Sequence, residues 1–231
     1  MRTIGLVGGL SWYSSMEYYR VINELVQERR GGHASAEVAL QSLDFSVVRA
    51  CQERDDWPEA GRLVADAATR CQSAGADLVL ICSNLMHKVF ADVEAAVDVP
   101  VLHIADAVAR EAKRHRWSRL GLLGTKWVMQ EPFYAERLAT HGIEVVTPGA
   151  EERVRVDHVI FEELTQGRVE TSSRQEYLDI IATLSDDGAD AVILACTEIE
   201  LLVSARDTSV RLLDSMRVHA TRAVDLALAE A

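Results

Sequence analysis

Short apolar runs rich in Val, Ile and Leu alternate along the chain with longer segments in which apolar residues return every three to four positions. The first have the length of buried strands, and the second have the period of helices lying on a sheet. Strands are predicted at residues 3–7, 38–42, 78–81, 101–103, 119–123, 144–146, 191–194 and 210–213. Helices are predicted at 14–28, 57–74, 89–96, 105–114, 130–141, 157–165, 174–185 and 216–229. The alternation predicts an α/β fold built on mostly parallel sheets flanked by helices.

Two stretches recur. Arg2-Thr-Ile-Gly-Leu-Val-Gly-Gly9 is echoed by Ser118-Arg-Leu-Gly-Leu-Leu-Gly-Thr125, and Gly75-Ala-Asp-Leu-Val-Leu-Ile-Cys-Ser-Asn84 by Gly188-Ala-Asp-Ala-Val-Ile-Leu-Ala-Cys-Thr197. Either echo alone is an ordinary strand with its flanking turn. Two in the same order, at nearly the same separation, predict a duplicated unit. The expectation is two pseudosymmetric domains, each with a four-stranded sheet, and an active site in the cleft between them. Their predicted bounds are residues 1–98 with 210–231 as a closing C-terminal segment, and residues 99–209. The second echo places Ser83 opposite Cys196, Asn84 opposite Thr197, and Cys82 opposite Ala195.

A formal net charge of −12 argues against a sequence-independent hold on nucleic acid or on anionic membrane. No apolar run approaches the ~20 residues of a membrane span, so a cytoplasmic protein with a small-molecule partner is expected. The four cysteines, Cys51, Cys71, Cys82 and Cys196, show no C-x-x-C spacing, which points to neither a zinc site nor a disulfide framework. No phosphate-binding or dinucleotide fingerprint is present either, so no cofactor and no metal are predicted.

Ligands of open parallel sheets bind beyond the carboxyl ends of the strands, where unpaired backbone N–H groups collect. Four segments meet that description: Gly8-Gly9-Leu10-Ser11, Ser83-Asn84-Leu85, Gly124-Thr125 and Cys196-Thr197-Glu198. Their N–H groups and hydroxyls suit a carboxylate, and supply positive potential that the net charge lacks. A lone Cys after an apolar strand is more often core than catalyst. Here Thr197, Glu198 and the duplicate position Ser83 shift the reading toward function, and a helix start at Cys196 would lower its thiol pKa. Two such groups could address opposite faces of one carbon, one removing a proton and the other returning it. His87 lies one turn beyond Ser83 and could orient or protonate a site group. Residues 12–19 read first as a helix face packed on the sheet, although Ser11 and Trp12 at its start could touch a ligand.

These motifs resemble those of the aspartate/glutamate racemase superfamily over essentially the whole chain. The carriers are Gly8-Gly9-Leu10-Ser11-Trp12, Ser83-Asn84-Leu85-Met86-His87-Lys88, Gly121-Leu-Leu-Gly-Thr125, Phe161-Glu-Glu-Leu164 with Gly167, and Cys196-Thr197-Glu198-Ile199. The resemblance implies a cofactor-independent amino-acid racemase, a homodimer, with Cys196 and Ser83 as catalytic pair. It further implies that Gly9, Ser11, Asn84, Leu85, Thr125, Thr197 and Glu198 bind a small acidic amino acid, with His87 and Trp12 as accessories. The sequence departs from the family pattern in two places. Ser83 stands where a first catalytic Cys is usual, and Leu85 where a Thr is. It is similar in the first respect to a branch specific for L-aspartate and L-glutamate, which carries a hydroxyl residue there followed by Met-His-Lys. Two alternatives stay open: a one-thiol decarboxylase or lyase of a small carboxylic acid, and a non-catalytic relative that binds a dicarboxylate.

Overall fold

The computed structural model describes residues 1–229. In chain order β1 (Ile4–Gly8) leads to α1 (Trp12–Arg30), β2 (Val38–Ser42), α2 (Phe45–Glu53), α3 (Trp57–Ser73) and β3 (Leu78–Ile81). A 3-10 turn at Leu85–Val89, α4 (Phe90–Ala95) and β4 (Val101–Leu102) follow, and then α5 (Ile104–His115). The second series is β5 (Arg119–Gly124), α6 (Lys126–Gln130), α7 (Pro132–Ala139), β6 (Glu144–Val146), α8 (Ala150–Glu162) and a 3-10 turn at Leu164–Gln166. It closes with α9 (Thr171–Asp186), β7 (Ala191–Ala195), α10 (Ile199–Leu202), β8 (Leu212–Asp214) and α11 (Ser215–Leu228).

The strands form two four-stranded sheets of order β2-β1-β3-β4 and β6-β5-β7-β8, and every pairing in both is parallel. The second order repeats the first, as a duplication requires. Register carries the equivalence to single residues. Ile4 pairs with Leu78 in one sheet, and its echo Leu120 pairs with Ala191 in the other. The two sequence echoes are therefore in step with each other, and Ser83 and Cys196 occupy corresponding positions beyond β3 and β7.

Two compact units result, one of Met1–Ile104 with the chain from His219 onward, the other of Ala105–Val218. These bounds correct the expected ones of 98/99 and 209/210. Val101 and Leu102 pair with β3, so β4 closes the first sheet, while Leu212–Asp214 pair with β7 and close the second. Only the later part of α11 belongs to the first unit.

Each sheet buries one face under helices of its own unit. Ala60, Val64, Ala67, Ala68 and Cys71 on α3 recur at helical spacing and pack with Val7, Val79 and Ile81. Val156, Val159 and Ile160 on α8 and Tyr177, Ile181 and Leu184 on α9 pack with Leu123, Val192 and Leu194. The predicted helix at 130–141 is interrupted because Glu131, which precedes Pro132, is extended at φ −87° and ψ 150°. Helix α2, absent from the predicted elements, is started by Asp44, whose carboxylate accepts from the Ser46 N–H at 2.9 Å.

Burial also fixes protonation. The thiol of Cys71 donates to the carbonyls of Leu6 and Ala39, and burial pushes its pKa from 9.0 to about 11. Burial likewise drives Cys82, Tyr134 and Tyr177 upward. The folded chain thus keeps protons that the unfolded chain releases above pH 9, so stability is intact below that pH and declines as pH rises through it. Melting temperature should hold up to about pH 9 and fall from there to pH 11, and the slope should be shallower in Cys71→Ala. A melting temperature flat across that range would contradict the assignment.

Candidate active site

In the first unit β1 ends at Gly8 and the chain turns at Gly9 with φ +72°. A Cβ there would lie 2.0 Å from the Leu43 carbonyl oxygen, so both the backbone angle and the space demand glycine. The turn aims the Gly9 N–H at Ser15 Oγ, 2.8 Å away, and Ser15 in turn donates to the Ser11 carbonyl at 3.1 Å. Ser11 is thereby held half-buried at the entrance to α1. The first face of α1 is not a core face, contrary to the reading of residues 12–19. Trp12, Tyr13, Met16 and Tyr19 are exposed, Trp12 stacked on Tyr13, while Tyr18 points inward.

The Ser83 loop is tied down from two sides. Ser14 on α1 donates to the Cys82 carbonyl at 2.9 Å, and the His87 ring nitrogen Nδ1 lies 2.7 Å from the Ser83 carbonyl. Ser83 itself is half-buried, and its hydroxyl accepts a long bond of 3.4 Å from the Met86 N–H. Asn84, Leu85 and His87 are buried. Ser14 and Ser15 were missed in the sequence. Their signal is a pair of small polar residues on the inward side of an amphipathic helix, where apolar residues would be expected.

In the second unit Thr125 and Cys196 each follow a residue of one paired couple, Gly124 and Ala195, so they extend from adjacent strand ends. Thr125 is buried, and its hydroxyl has no hydrogen-bond partner among the described residues. The first N–H of α6, from Lys126, is taken by Asp157 at 2.7 Å.

Cys196 is the one cysteine among the described residues that is not fully buried. Its sulfur donates to Glu198 Oε2 at 3.1 Å, and Thr197 Oγ1 donates to the same oxygen at 2.8 Å. Burial first, and then the Glu198 carboxylate, push the thiol well above 9.0. Backbone N–H groups of Glu198 and Ile199 act in the opposite sense and lose. The expected depression of the thiol pKa is therefore reversed. α10 has four residues, too few for a helix dipole to outweigh desolvation beside a carboxylate. Among the described residues no cluster of His, Cys, Asp and Glu could hold a metal ion, and no helix is long and apolar enough to cross a membrane.

Loops at the carboxyl ends of duplicated parallel sheets, one bearing a half-buried thiol on a carboxylate, define the general class of α/β enzymes with strand-end sites. The profile of the Asp/Glu/hydantoin racemase family matches residues 7–223, and the chain belongs to that family. A crystal structure of a candidate Asp/Glu racemase from Yersinia pestis is 43% identical, covers 99% of this chain and 100% of its own, and superposes with a TM-score of 0.94. That of an aspartate racemase homologue from Pyrococcus horikoshii OT3 is 33% identical, with 98% and 99% covered and a TM-score of 0.86. The broad specificity amino-acid racemase RacX of Bacillus subtilis is 24% identical over 179 residues, 75% of each chain.

Two outcomes test the local geometry. Gly9→Ala should cost at least about 2 kcal/mol of stability, read by denaturant unfolding, because strain and overlap with Leu43 act together. Glu198→Gln should shift the pH profile of Cys196 alkylation by iodoacetamide to lower pH, since the repelling charge is gone while burial remains. An unmoved profile would remove Glu198 from the account of the thiol.

Proposed function

We propose that the protein is a cofactor-independent amino-acid racemase acting on L-aspartate and L-glutamate. The observation that carries this reading is Cys196, a half-buried thiol bonded to buried Glu198, at a position whose duplicate in the other unit is Ser83. Family membership and the racemase relatives support it. The resemblance extends the reading to a cytoplasmic homodimer.

Removing a proton α to a carboxylate needs a strong base out of water, and donors for the charge that spreads onto the carboxylate. A thiol whose pKa is raised gives, once deprotonated, a stronger base than an exposed one. Glu198 Oε2 already accepts the thiol hydrogen and is the group we assign to take it. In this reading the Cys196 thiolate removes the α-proton of the L-enantiomer, and the Ser83 hydroxyl donates to the opposite face, its own proton being replaced from solvent. Backbone N–H groups after β1, β3, β5 and β7, with the hydroxyl of Thr125 and the side chains of Asn84 and Thr197, bind the substrate. Ser11, Leu85 and Trp12 flank it. Because a hydroxyl is a far weaker acid than a thiol, the D-to-L direction, which starts at Ser83, runs poorly.

Exchange of the α-proton in heavy water separates the roles. L-Aspartate and L-glutamate should exchange faster than their mirror images, and Cys196→Ala should lower that rate by about 10²–10⁴-fold. Ser83→Ala should still exchange the L-enantiomers, with retention, but form no D-product. Parent rates equal to those of Cys196→Ala across a panel of amino acids would end the racemase reading.

A further inference from the structure

His87 is the one accessory residue whose environment determines its chemical form. Its Nδ1 lies 2.7 Å from the carbonyl oxygen of Ser83, which can only accept, so Nδ1 carries a hydrogen. Its Nε2 lies 3.1 Å from the backbone nitrogen of Ile104, which can only donate, so Nε2 is bare. The ring is 2% exposed and packs between Phe90, His103 and His219, at 6.1, 4.7 and 5.6 Å between ring centres. Its neighbour His219 is oriented the other way. His219 Nε2 is 3.0 Å from the Leu102 carbonyl and so donates, while Nδ1 is 2.8 Å from the Tyr18 hydroxyl and accepts.

We propose that His87 is a positioning residue for Ser83: a neutral ring locked as the Nδ1–H tautomer, which fastens the Ser83 carbonyl to the start of α5. Both ring nitrogens are engaged by backbone, so His87 has no proton to give to a substrate. What it supplies is rigidity. Ser83 stands at the end of β3, and its hydroxyl is held by one long bond from Met86, so the placement of the side chain depends on how firmly its own carbonyl is fixed. The segment at the other side of the ring is fixed as well. Leu102, two residues before Ile104, is gripped by His219, which Tyr18 of α1 orients. The link from Ser83 to α5 thus runs through backbone groups held at both ends.

The kinetic part of this proposal rests on the racemase reading, whereas the tautomer part does not, and the tests separate them. Nitrogen-15 correlation spectra of the full-length protein should show His87 protonated at Nδ1 only and His219 at Nε2 only. A His87 signal from the Nε2–H form, or from imidazolium, at neutral pH would overturn the proposal whatever the activity.

Two variants then divide the ring's bonds. His87→Asn can still donate to the carbonyl four residues back, as Asn23 does to Tyr19 in this chain at 2.8 Å. His87→Gln reaches only toward Ile104. Both lose one bond of the pair and should melt at similar temperatures. Amide hydrogen exchange at residues 83–87 should quicken in His87→Gln and stay near the parent rate in His87→Asn. With substrate, His87→Gln should lower kcat for D-product formation by about tenfold or more, at a KM within about twofold of the parent, and His87→Asn should recover most of that loss. Equal amide protection in the two variants, or a Gln variant as active as the Asn variant, would refute the positioning role. Parent protein without turnover would defeat the racemase reading alone, and the amide-exchange comparison would still decide the role of His87.

Discussion

Taking a thiol out of water raises the cost of its charged form, and the surroundings of Cys196 in the second unit all act on that cost. The sulfur sits against an apolar cluster that includes Leu194, Ile199 and Tyr177, which disfavours the thiolate. Glu198 disfavours it further by its charge, yet offers an acceptor at 3.1 Å. Two backbone N–H groups favour it, and are outweighed. The balance is a resting thiol with a carboxylate beside it. Such a group is a poor reagent until its proton moves, and a strong base afterwards, which suits an abstraction as unfavourable as one α to a carboxylate.

The same strand order in both sheets places a loop residue with equal backbone surroundings in each unit, but the two positions have been equipped differently. Cys196 has an ionisable neighbour on its side chain. Among the described residues the Ser83 hydroxyl bonds to a backbone N–H, that of Met86, and to no ionisable group; its support is on the main chain, from Ser14 behind and His87 ahead. A carboxylate beside a thiol tunes when a proton leaves. In the proposed reaction, backbone clamps around a hydroxyl would tune only where a proton is delivered. The asymmetry of the two positions is therefore one of kind as well as of acidity, and under that proposal it favours one direction of proton flow.

The parts of this arrangement that were legible in the sequence are the local ones. Eight apolar runs became eight strands, and the two echoes located the corresponding loops, because strand hydrophobicity and tight turns are encoded within a few residues. Boundaries of the units were not legible. Whether Val101 or Leu212 joins one sheet or the other is decided by pairing with Val79 or Val192, far away in sequence. The exposed side of α1 was misjudged because Trp12, Met16 and Tyr19 have core-like composition and helical spacing, and composition does not say which face a sheet covers. The thiol pKa was misjudged for a similar reason: helix position is visible in sequence, whereas desolvation is a property of the packed fold.

The choice between Cys82 and Cys196 shows how much depends on register. Cys82 directly precedes the motif that begins with Ser83 and is a thiol one residue from the expected catalytic position. Side chains alternate in direction along a strand, so a slip of one residue would exchange the inward and outward groups. The pairing leaves no room for that slip. The Cys82 N–H bonds to the Val7 carbonyl and continues the ladder, its side chain is fully buried, and burial holds its thiol far from ionisation. Its counterpart in the second unit is Ala195, the last residue of β7, where no chemistry is possible. A residue one step further along has left the ladder and gained exposure, and it is there that the first unit places a hydroxyl and the second a thiol.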